Sequence, residues 1–144
     1  MRNLLLLTLL SALVLGGCKK DKDGDIGKHS IVAKWKMDKI EYVSYDQSGE
    51  LYEKSTSVYD PSSYFEFKAD RTFEYSILEA GEEEKEEDTG TYILSGNKLT
   101  LVFARDSEEY TVTTLNKNTL LFERTSDEDE GQIYHGKDIF YMSK

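Results

Sequence analysis

From about residue 31 onward, apolar side chains recur at every second position in one short segment after another. That period confines each segment to a β-strand with one face buried and one face wet. Phe65 and Phe67, Phe73 with Tyr75 and Ile77, Tyr92 with Leu94, Leu99 with Leu101 and Phe103, Tyr110 with Val112, and Leu120 with Phe122 all follow it. Turn-forming residues separate them: Ala69-Asp70, Ser95-Gly96-Asn97 and Asn116-Lys117-Asn118. Two more strands are expected, over about 34–43 and 133–142. In the first, the apolar phase slips from Trp35 and Met37 to Ile40 and Tyr42, as an extra residue in a β-bulge would cause. Helical spacing is not visible beyond the first residues of the chain.

Eight antiparallel strands in chain order read as an up-and-down meander. Closing it into a small barrel removes the two exposed edges that an open sheet would offer to other chains. The expectation is therefore an all-β, eight-stranded antiparallel barrel over residues 31–144, with two packed sheets as the alternative. Loops of a meander alternate between its ends. The tight turns near Asp70, Gly96 and Lys117 fall at one end, whereas the connections expected over 44–63, 80–89, 104–109 and 125–132 fall at the other. One end is closed and the other is a mouth, with 44–63 long enough to act as a mobile lid.

The N-terminus carries an address. Arg2 precedes the apolar run Leu4–Leu15, too short to span a bilayer, and Leu15-Gly16-Gly17-Cys18 follows with the only cysteine in 144 residues. This is similar to the signal peptide and lipobox of bacterial lipoproteins, which implies cleavage after residue 17 and lipid, palmitate included, on Cys18. Residues 18–30, rich in Lys and Asp, read as a flexible tether, and their mixed charges resemble surface-export signals of Bacteroidetes lipoproteins. The resemblance implies a lipid-anchored protein of the bacterial outer membrane. Asp21, Asp23 and Asp25 mimic the start of a calcium loop, but Ile26 and Val32 stand where glycine and glutamate are required, so no metal is expected.

Over about Ile31 to Thr125 the domain resembles the lipocalin-like lipoproteins of Bacteroidetes, within the lipocalin superfamily. The resemblance is carried by Trp35 on the first strand, the long first connection and the Gly90-Thr91-Tyr92 opening of a middle strand. Ala33-Lys34-Trp35 replaces the usual Gly-x-Trp, and the family's hairpin glycine is absent near Arg71. The family implies a barrel around one apolar cavity, with a late-strand Arg or Lys over the face of the Trp. Arg124 is the candidate by residue type, although it sits toward the mouth end of its strand. Trp35 itself reads as a core aromatic that plugs the barrel floor.

Ligand-contacting candidates are Tyr75, Tyr92, Phe103, Tyr110 and Phe122 from the walls and Tyr45, Tyr52 and Tyr59 from the lid. A barrel of eight strands stands at the boundary between filled and hollow. His29 and His135 lie far apart with no cysteine nearby, and no GxSxG, HExxH, Walker or CxxC pattern occurs, so neither catalysis nor a cofactor is expected.

Charge narrows the partners. The four mouth connections carry net charges of minus 3, minus 5, minus 2 and minus 4, while the rest of the chain from Cys18 onward is plus 3. Carboxylates around one opening repel anions over about a Debye length, roughly 8 Å at physiological salt. Nucleic acid is thereby excluded as a partner, and a small apolar or neutral molecule is favoured. A second reading is an inhibitor or binder of a basic protein, because Ser48-Gly49-Glu50-Leu51-Tyr52 resembles the Ser-Gly-x-x-Tyr loop of bacterial lysozyme-inhibitor lipoproteins. A third is a structural surface lipoprotein. A monomer is expected in each case.

Overall fold

The computed structural model describes residues 28–129 and 133–144. Cys18 and the tether up to residue 27 lie outside the described residues. Nine strands follow in order: β1 (Ala33–Tyr45), β2 (Leu51–Val58), β3 (Tyr64–Phe67), β4 (Thr72–Ile77), β5 (Glu86–Ser95), β6 (Lys98–Val102), β7 (Ser107–Leu115), β8 (Thr119–Asp129) and β9 (Ile133–Ser143). All pairings are antiparallel, β3 to β9 form a meander, and β1 bonds to both β3 and β9. The result is a closed eight-stranded barrel made of every strand except β2.

β1 closes the barrel because it bends in the middle. Its register on β9 runs from Lys36↔Ser143 and Met37↔Met142 to Lys39↔Tyr141, leaving Asp38 as the bulged residue. The phase slip visible in the sequence is this bulge. Trp35 and Met37 before it, and Ile40 after it, consequently share the inner face. At the same level β1 exchanges partners along its other edge. Ala33 to Lys36 pair with β3, whereas Lys39 to Tyr45 pair with β2.

The segment expected to be a lid loop, 44–63, is thus mostly a hairpin arm. Asp46 builds its turn, accepting hydrogen bonds through Oδ1 from the Ser48 and Glu50 amides, both at 2.9 Å, while Gly49 takes the left-handed φ of 83°. β2 is held to the outer wall through Glu41, which accepts from Lys39 (2.6 Å), Lys54 of β2 (3.0 Å) and the Tyr141 hydroxyl (2.9 Å). Those three donors, Lys39 foremost, hold the Glu41 carboxyl down at about 2. The connection expected over 125–132 is also shortened, since β8 and β9 stay paired as far as Asp129↔Ile133.

The closed end forms where the sequence placed it. In the β3–β4 turn Arg71 adopts φ 68°, the left-handed conformation that suits glycine, the residue absent here by comparison with the family this domain resembles. The turn holds it there: the Arg71 amide donates to the Lys68 carbonyl (3.1 Å), and the Tyr92 amide donates to the Arg71 carbonyl (2.8 Å). A left-handed non-glycine residue costs about 1–2 kcal/mol, and glycine returns part of that through its larger unfolded-state entropy. Arg71→Gly is expected to stabilise the domain by about 0.5–1 kcal/mol, read as a higher denaturant midpoint at constant slope.

Trp35 lies on the floor with no exposed surface, and its indole N–H donates to the Ile31 carbonyl at 2.8 Å. The cation over its ring is Lys144, whose Nζ is 4.1 Å from the centroid, and not Arg124. Phe67, Phe73, Leu99, Leu115, Leu120 and Met142 fill the lower half around it, each 1% exposed or less.

Candidate functional site

Above that packed floor, the mouth halves of the strands surround a cavity of about 250 Å³. Its wall alternates aromatic rings with charged groups. β1 contributes Tyr42 after the bulge, and β4 contributes Tyr75, stacked on Phe65 at 4.7 Å. Phe103 follows β6, while Tyr59 comes from the connection after β2. That connection is tied across the rim, since the Asp60 amide donates to the Leu78 carbonyl and the Ala80 amide to the Val58 carbonyl, each at 2.8 Å.

Charged residues enter the wall because they occupy inward positions of their strands. Glu108 is in phase with the buried Tyr110 and Val112, Arg124 with Leu120 and Phe122, and Asp138 with Phe140 and Met142. Arg124 and Asp138 are direct cross-strand partners. Arg124 Nε donates to Asp138 at 2.7 Å and Nη1 donates to Glu108 at 3.0 Å, so one guanidinium clamps three adjacent strands. Burial opposes its charge, yet the hydrogen bond to Asp138 and the nearby carboxylates raise its pKa above the ordinary value. Asp138 is the buried member of this group, so removal of Arg124 would leave its carboxylate without a counter-charge.

The tyrosines complete the polar wall. Tyr110 donates to Glu108, and Tyr75 donates to Glu86 at 2.8 Å. Burial first, and then these acidic partners, push both hydroxyls well above their usual range; burial and Tyr42 do the same for Tyr59. All three phenols are neutral donors at any physiological pH. The carboxylates Glu86, Glu108 and Asp138 outnumber Arg124, leaving the wall with a net negative charge.

Of the eight ligand-contacting candidates, Tyr59, Tyr75, Phe103 and Tyr110 line this cavity. The other four stand elsewhere. Phe122 is fully buried one layer below, stacked on Phe140 at 4.9 Å and edge-on to Tyr110 at 5.0 Å. Tyr92 belongs to the floor, where its hydroxyl donates to the Lys68 carbonyl at 2.9 Å and its ring meets Phe67 edge-on. Tyr45 ends β1 opposite Leu51 and His135, and Tyr52 is 62% exposed on β2. Sequence reasoning missed Tyr42, Glu86, Glu108, Arg124, Asp138 and Phe140 as wall residues. The signal was present for Glu108, Arg124 and Asp138: each is a charged residue in phase with core aromatics or aliphatics.

The family model for the lipocalin-like domain matches residues 31–122, well over half of the chain. The chain belongs to the lipocalin-like family. The match begins at Ile31, which packs in the buried core, and ends at Phe122 beneath the cavity. It thus spans the floor and most of the wall of this lipocalin-like barrel. No curated protein matches the chain. Lipocalin-like domains are generally small-ligand binders and not enzymes, which agrees with a concave aromatic site holding a few placed polar groups. Among the described residues, no group of three or more His, Cys, Asp or Glu is arranged to hold a metal ion.

Proposed function

We propose that this protein is a cell-envelope lipoprotein, anchored in the bacterial outer membrane through lipid on Cys18, whose barrel takes up a small, largely apolar molecule without net negative charge. The cavity carries this reading. It is lined by aromatic rings over a sealed floor, within a domain of a family whose members bind small molecules. Its volume lies just below the roughly 300–1,000 Å³ of pockets that enclose drug-sized ligands, so a compact occupant fits and a long acyl chain would protrude. Support for the anchor comes from the apolar run Leu4–Leu15 ending at Leu15-Gly16-Gly17-Cys18.

A second reading, binding of a basic protein, has one observation in its favour. The β1–β2 hairpin presents Leu51 and Tyr52 at 60% and 62% exposure, next to the acidic residues Asp46, Glu50 and Glu53. Native mass spectrometry of residues 19–144 after exposure to envelope extract, beside a pull-down of secreted proteins, separates the two readings. A retained small molecule is the expected result. Capture of a basic protein that Tyr52→Ala abolishes, with no small molecule retained, would replace the first reading by the second. For the anchor, Cys18→Ala should leave the membrane fraction, and unchanged partitioning and mass would refute lipidation.

A further inference from the structure

We propose that the ligand of this barrel is a compact aromatic or aliphatic amine, bound as its ammonium ion in the upper cavity between the carboxylates of Glu86 and Glu108 and the ring of Tyr75. The proposal rests on the ligand-binding reading above and adds the charge of the ligand. An arginine in a barrel cavity ordinarily invites a carboxylate. Here Arg124 is already engaged by Asp138 at 2.7 Å and Glu108 at 3.0 Å, so an incoming anion meets two carboxylates before it gains the guanidinium. Glu86 faces the same space from β5, and the Tyr75 hydroxyl, bonded to Glu86, feels the charges of Glu86, Asp88 and Glu108 together.

The rim reinforces that field. Glu79, Glu82, Glu83, Glu84 and Asp106 outnumber Lys85 and Arg105 in the connections that flank β5 and β7. An ammonium leaving water needs acceptors and counter-charge: Glu86 offers both, and Glu108, which already accepts from Arg124 and Tyr110, adds to the negative field. Ring faces add to this, since a cation within about 6 Å of an aromatic centroid gains about 0.5–2 kcal/mol. An aliphatic or aromatic body would rest among Phe65, Phe103 and Ile77 on the apolar side of the same cavity.

The test compares three probes of one shape by calorimetric titration of residues 19–144: phenethylammonium, phenethyl alcohol and phenylpropanoate. Phenethylammonium should bind at least about 10-fold more tightly than the alcohol, and the carboxylate should bind worst. Glu86→Gln should weaken the ammonium about threefold or more and the alcohol by less than that. Glu123→Gln, which removes the same charge from the outer-wall pair with Lys137, serves as the control and should change neither. Equal affinities for ammonium and alcohol, or equal effects of the two variants, would overturn the amine assignment while the cavity reading stands. If no probe binds, both fail.

Discussion

Replacing Gly90 by alanine is expected to lower the melting temperature by about 10 °C or more, a larger effect than alanine at any turn glycine. A Cβ built on Gly90 would lie 2.2 Å from the Val102 carbonyl oxygen and 2.8 Å from a ring carbon of Phe73. The first of these is backbone of the neighbouring β6, so no rotamer change relieves it. β5 and β6 would have to separate near the Thr91↔Val102 pair, weakening the ladder where Phe73 seals the core. Overpacking a core costs about 1–3 kcal/mol when side chains can yield, and a fixed carbonyl puts this site at or above the upper end. For a domain of this size about 3 kcal/mol corresponds to roughly 10–15 °C. Gly96→Ala is the comparison: nothing lies within 4 Å of its Cβ, and only the left-handed φ of 61° opposes the substitution. Circular dichroism melts of both variants decide the matter, and a Gly90→Ala melt within about 2 °C of wild type would refute the steric account.

Trp35→Ala should destabilise the domain by about 3–5 kcal/mol, enough to leave a substantial fraction unfolded. The indole has no exposed surface, so its removal opens a cavity at the point where β1 meets β3 and β9. It also strips the Ile31 carbonyl of its donor and Lys144 of the ring beneath it. Trp35→Phe separates these contributions. It keeps most of the volume and the ring face but not the N–H, so a loss of about 1–2 kcal/mol is expected from the unpaired carbonyl. Because Trp35 is the only tryptophan, its emission follows unfolding of the wild type directly, and far-ultraviolet circular dichroism follows the variants. Urea midpoints for Trp35→Ala and Trp35→Phe that coincide would show that volume contributes nothing beyond the hydrogen bond.

The cavity and the floor belong to one barrel with two halves of different chemistry. In the lower half, leucine, phenylalanine and methionine interdigitate and exclude space. In the upper half, Glu108, Arg124 and Asp138 take the inward positions. Ionised groups must keep hydrogen-bonding partners, so they cannot be driven into the dense apolar packing that closes the floor. The aromatic rings then form walls and not a plug. A barrel of eight strands is thereby filled below and hollow above.

Local features of the fold are legible in the chain. The period of two assigned each strand its buried face, and the slip between Met37 and Ile40 located the bulge now seen at Asp38. Ala69-Asp70, Ser95-Gly96 and Asn116-Lys117 marked the tight turns, because a turn is specified by the few residues within it. Features that depend on distant partners emerge only in the closed barrel. In the sequence Leu51–Val58 reads as loop because it has no buried face of its own; it is a strand only because β1, after leaving β3 at the bulge, has an edge to pair. Lys144 reaches Trp35 only after β9 has closed on β1, across more than a hundred residues of chain. The Arg124 clamp likewise needs β7, β8 and β9 in register before Glu108 and Asp138 flank it. Periodicity encodes which way a side chain points, whereas ion pairs, capping cations and the space between walls are set by which strands close upon one another.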